Sequence, residues 1–155
     1  MTISEQFQRT VSNRLLQWSV LSIAVGLFLQ LTRSPFWRAF GQQAIGWGAI
    51  DAALALLGRR GLEQKVQRGY PPTEAAKDLH NLRRILWFNT GLDVLYMLGG
   101  LALFRRDDEV QRGHGAGIMF QGLFLFKFDL IHALLVKEDA SNSGNTAFDK
   151  GVDST

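Results

Sequence analysis

Apolar positions along this chain fall into four nearly unbroken windows rather than into alternating or amphipathic stripes. Residues 15–32, 39–58, 85–104 and 115–136 carry four charged side chains between them, whereas the other 75 residues carry 27. A helix crosses a hydrocarbon core with about 20 largely apolar residues. These windows are 18, 20, 20 and 22 residues long. Backbone groups in lipid must be hydrogen-bonded within their own segment, so each window is read as a helix rather than a strand. Helices of a soluble bundle would carry one apolar stripe opposite their charges. Residues 92–103 and 118–126 are instead apolar nearly all round. The pattern predicts an all-α, four-helix transmembrane bundle.

The window boundaries fit that picture. Each is bracketed by basic residues: Arg14 and Arg33, Arg38 and Arg59, Arg84 and Arg105, Arg112 and Lys137. Trp18, Phe36, Trp37, Trp87 and Phe88 gather near boundaries, where amphipathic rings favour the headgroup region. Lysines and arginines number two before the first window, seven in the 59–84 connection and two after the last, against two and three in the other connections. That asymmetry places both termini and the 59–84 connection in the cytoplasm, and the chain in the cell's inner (cytoplasmic) membrane. The pI of 9.6 therefore calls for no nucleic acid. Its partners are the bilayer and, at the basic connection, anionic lipid headgroups. The first window lacks a small-residue cleavage pattern and reads as a retained anchor rather than a signal peptide.

The segments outside the windows are short. Phe7, Val11 and Leu15 are four apart, so the first helix is expected to begin early and lie on the surface. Pro71 and Pro72 break the long connection, and Thr73 is a candidate N-cap from which helix could run into the third window. Residues 137–155 have the composition of a disordered cytoplasmic tail, leaving 1–136 as the membrane domain. There are no cysteines, no phosphate loop and no dinucleotide fingerprint, and nothing names a cofactor. The glycine-rich stretch 113–117 reads as part of a connection, with His80 and His114 at the surface.

Inside the windows, polar residues recur with a common spacing. Gln43 and Asp51 are eight apart, as are Gln121 and Asp129, which points to a duplicated two-helix hairpin with a longer turn in its second copy. Counted from the basic residue at the cytoplasmic end, Asp51, Asp93 and Asp129 lie eight or nine residues in, with Ser22 at the same count. That is roughly 12–14 Å. Gln30, Gln43 and Gln121 form a second layer, each sixteen residues in, or roughly 24 Å.

Charged groups at such depth face a bundle interior and pair. Asn89 stands one turn from Asp93, and His132 nearly one turn from Asp129. Lys127 points about 160° away from Asp129, toward a neighbouring helix or a partner. Three convergent aspartates cannot all ionise uncompensated. Protons can be retained, Lys127 or a charged His132 can supply the counter-charge, or a metal can bind to Asp51, Asp93, Asp129 and His132. Gln30, Gln43 and Gln121 read first as hydrogen-bonding glue between helices, and Gly26, Gly46, Gly48, Gly99 and Gly100 as points of close helix approach.

Gln43 with residues 46–51, residues 86–93, and residues 121–122 with 129–133 resemble a family of small bacterial four-helix integral membrane proteins known only as a domain of unknown function. The likeness covers about residues 10–136. It implies the four-span layout and no activity. The residues themselves predict binding or passage of a cation, proton or small lipid-like ligand at Asp51, Asp93 and Asp129, oriented by Asn89 and His132. An accessory subunit of a larger membrane complex, or a homo-oligomer, is the competing expectation. An intramembrane enzyme using Asp129 and His132, with Ser22 at their level, ranks below both.

Overall fold

In a computed structural model the chain is described over residues 3–69 and 71–152, with side chains described at 5–69, 71 and 73–136. Four helices account for nearly all of it: α1 (Ile3–Gln30), α2 (Pro35–Gln67), α3 (Pro72–Phe104) and α4 (Glu109–Val152), with no strand among the described residues. Three stretches, Glu5–Gln30, Thr73–Phe104 and Glu109–Val136, are long and apolar enough to cross a membrane. The second helix falls outside that group because Gln42, Gln43, Gly46, Gly48 and Asp51 dilute its apolar stretch.

The helix ends have local causes. At α2 the Ser34 hydroxyl accepts from the Trp37 amide and Pro35 occupies the first turn, where a missing N–H costs nothing. At α4 the Asp108 carboxylate accepts from the Gln111 amide at 2.8 Å. α3 differs from expectation: it starts at Pro72 with Pro71 as a cap that offers no side-chain bond, so Thr73 lies inside the helix. α2 ends with Arg68 as its C-cap, followed by Gly69 at φ 81°, a conformation glycine adopts without strain. The expected 59–84 connection is thus mostly helix. Its two arms are tied by a Lys65–Asp78 ion pair and by burial of Leu62 and Ala75. α1 does begin early, but in line with the rest of the helix rather than as a separate surface segment. Phe7 packs against Leu86, Ala133 and Val136. α4 in turn continues to Val152, through most of the stretch expected to be a disordered tail, since no proline interrupts 137–152.

Two hairpins, α1–α2 and α3–α4, are tightly packed within themselves and meet along α2 and α4. Glycines make the close approach possible. A Cβ on Gly26 would lie 2.6 Å from the Gly41 carbonyl oxygen, and one on Gly100 would lie 2.9 Å from that of Gly115. Gly48 meets Ser19 and Ile23, and Gly122 meets Asp93 and Met97. Gly46 and Gly99, also expected at contacts, face open space.

These pairs reveal the repeat, and its register differs from the expected one. Gly26, Gly41 and Gly48 recur as Gly100, Gly115 and Gly122, each 74 residues on, and so do their neighbours Ser19, Ile23 and Ile45 as Asp93, Met97 and Met119. The capping pair Ser34–Trp37 recurs as Asp108–Gln111, and the helix ends at Gln30 and Pro35 recur at Phe104 and Glu109. Both turns therefore have the same length. The Gln43/Gln121 and Asp51/Asp129 matches, spaced 78 apart, lie one helical turn off this register. Two hairpins in the same sense, meeting along the equivalent helices α2 and α4, make a pseudo-twofold bundle with two pseudo-equivalent clefts, one between α1 and α4 and the other between α2 and α3.

Candidate functional site: a carboxylate cleft between α2 and α3

Asp51, Asp93 and Asp129 come together. They line one cavity of about 230 Å³ with Asn89, walled by Leu15, Trp47, Ile50, Leu54, Leu92, Tyr96 and Leu125. Trp47 meets Tyr96 edge to face, with ring centroids 5.2 Å apart, and closes the cleft on the side of the short turns. All three carboxylates are buried, Asp51 and Asp93 at 3% exposure and Asp129 at 7%. The three are staggered rather than level. Gly122 packs on the Asp93 backbone, whereas Asp129 takes a hydrogen bond from Asn89, one turn along α3. The charge of Asp93 bears on both Asp51 and Asp129.

Satisfaction separates the three. Asp129 has Asn89. Asp51 Oδ2 and Asp93 Oδ2 are buried with no hydrogen-bond partner. An ionised carboxylate in that state is costly, so these oxygens call for a proton or a cation. Among the described residues no group of three or more His, Cys, Asp or Glu side chains is arranged to hold a metal ion.

His132 belongs elsewhere. Its Nδ1 donates to the Phe128 carbonyl at 2.6 Å, its ring meets Phe7 and Phe128, and it lines the opposite cleft with Arg14 and Lys127. The Asp129–His132 pair therefore opens onto two different cavities. Ser22 joins neither residue and accepts from Gln121 Nε2 at 3.2 Å.

The glutamines do not make a single layer. Gln121, almost wholly buried, also accepts from Trp18 Nε1 at 3.0 Å. Gln43 donates to His114 Nδ1 at 2.9 Å, and Gln30 donates to the Arg38 carbonyl at 3.0 Å. His114 is half-buried within α4 and is a polar partner that sequence reasoning placed at the surface. Its signal was the surrounding glycine spacing. Gly113 and Gly117 pack on α2 and Gly115 on α3, so 113–117 is a packed helical turn.

A model for a family of unknown function (DUF6992) matches residues 14–130. The chain belongs to DUF6992. The match takes in all three aspartates, Asn89 and the three glutamines, and ends before His132. No curated protein and no solved structure matches the chain.

Proposed function

We propose that this DUF6992 member is a four-span integral membrane protein of the bacterial inner membrane, with both termini cytoplasmic, whose α2–α3 cleft holds and exchanges protons. The observation that carries this reading is the pair of buried, unpartnered carboxylate oxygens of Asp51 and Asp93 in one cavity. The repeat supports a role beyond packing. At the positions equivalent to Asp51, Asn89, Asp93 and Asp129 stand Leu125, Leu15, Ser19 and Ala55. The same backbone thus accepts uncharged residues there. Protons are favoured over a metal ion because the ligand set for a metal is absent among the described residues.

Membrane insertion is supported by the wide apolar exterior, including Phe28, Leu31, Phe88, Leu95 and Leu98, each more than half exposed. Arg60, Arg68 and Lys77 stand exposed on the basic hairpin between α2 and α3, where anionic headgroups would lie. The chain has no cysteine, so single cysteines at Ser34 and Thr73 report topology without background. Thr73→Cys should be modified by an impermeant maleimide only from the cytoplasmic side, and Ser34→Cys only from the other. Proton occupancy is read by infrared spectroscopy of the protein in nanodiscs. The parent should carry a protonated-carboxyl C=O band that shifts in D2O and weakens in Asp51→Asn and in Asp93→Asn. A band unchanged in both variants would remove these residues from the proposal.

A further inference from the structure

The pseudo-equivalent cleft between α1 and α4 has the opposite character. It is an open groove of about 480 Å³ whose walls are almost wholly apolar and whose polar groups are Arg14, Lys127, His132 and Gln17. That volume falls within the roughly 300–1,000 Å³ of small-molecule sites. Its floor is fixed: Trp18 stacks on Phe124 at 3.5 Å between ring centroids, and Trp18 Nε1 is held by Gln121. Arg14 and Lys127 are exposed, and among the described residues neither has an acidic partner. Both lie along one groove though they sit on different helices. The imidazole adds a third feature. The Phe128 carbonyl can only accept, so His132 Nδ1 carries the proton and Nε2 is left an acceptor. That Nε2 is buried and has no partner.

Two cations, an apolar trough and an unfilled acceptor together describe an amphiphile with a phosphate and a hydroxyl. We propose that the α1–α4 groove binds one anionic glycerophospholipid, its phosphate held by Arg14 and Lys127, a headgroup hydroxyl donating to His132 Nε2, and an acyl chain lying along Trp18, Leu21 and Phe124. Basic pockets between membrane helices are recognised headgroup sites. This groove also opens sideways, with Ile131 52% exposed on its wall, so a lipid can enter from the bilayer.

Native mass spectrometry in mild detergent tests the proposal, using phosphatidylglycerol, phosphatidylcholine and inorganic phosphate as probes. One phosphatidylglycerol should be retained per chain, with neither phosphatidylcholine nor free phosphate replacing it. The double variant R14Q/K127Q, which alters exposed side chains only, should weaken retention about thirtyfold. R33Q/R38Q, at the opposite end of the bundle, should leave it unchanged. Asp93→Asn should also leave it unchanged, which separates this groove from the proton cleft. Equal retention of phosphatidylcholine, displacement by free phosphate, or undiminished retention in R14Q/K127Q would each overturn it.

Discussion

The two clefts of this bundle are built on one backbone plan and carry opposite chemistry. Trp18, Phe124 and Phe128 on the α1–α4 side occupy the positions of Leu92, Ile50 and Leu54 on the α2–α3 side. The first cleft is basic and shallow, the second acidic and buried. Packing explains what the two share: the glycine contacts, the capped turns and the aromatic or aliphatic walls. It does not explain what differs: each half of the repeat has uncharged residues where the other has charged ones, Leu125 and Ser19 against Asp51 and Asp93, Phe88 and Ala53 against Arg14 and Lys127. Pseudo-symmetry thus acts as an internal control, sorting residues kept for the fold from residues kept for something else.

The sharpest way to break the comparison is at its shared part. Gly100→Leu should drive α3 and α4 apart and destabilise the protein by about 3 kcal/mol, and Gly26→Leu should do the same to α1 and α2. Reversible unfolding in mixed micelles would measure both, and a large difference between them would argue against equivalent hairpins. Gln121→Leu ranks next. It leaves the Trp18 N–H without its acceptor and Ser22 without its donor, so a loss of about 1–2 kcal/mol is expected in the same assay. The Gln43–His114 contact should be worth about 0.6 kcal/mol in a double-mutant cycle of Gln43→Leu and His114→Phe, typical of interhelical hydrogen bonds in membranes. The smallest expected effect on stability is at the acidic cleft itself. Asp51→Asn should lower stability by less than about 0.5 kcal/mol, or raise it, because the carboxylate it replaces has no partner to lose and sits beside Asp93.

Four helices and the convergence of Asp51, Asp93 and Asp129 are legible from the sequence, because long apolar windows and charges set inside them are strong signals. Register is not. Depth counted from a flanking basic residue treats that residue as a level mark, yet Ser22 and Gln121, placed in different layers by that count, are hydrogen-bonded. The basic residues sit at different heights: Arg14 lines the same groove as Lys127, far from Lys137 in the chain. The eight-residue Gln–Asp spacing shows the repeat in outline, but the glycines carry its true register. Only its proximity in sequence links His132 to the aspartates. Three residues fall roughly 60° short of a full helical turn, and Phe128 and Phe7 hold the imidazole on the side away from the aspartates. Glycine's low helix propensity likewise hid the helical turn at 113–117, where close packing outweighs that preference.

The central claim is that the acidic cleft is chemistry added to a fold that does not need it. Replacing Asp51, Asn89, Asp93 and Asp129 by the residues at the equivalent positions of the other half, Leu, Leu, Ser and Ala, tests this in one protein. Its unfolding free energy in mixed micelles, measured beside the parent, should be equal or higher, while the infrared band of protonated carboxyl groups disappears. A loss of more than about 2 kcal/mol, the scale of a broken buried polar network, would mean that these side chains hold the bundle together and that the two clefts differ for structural reasons alone.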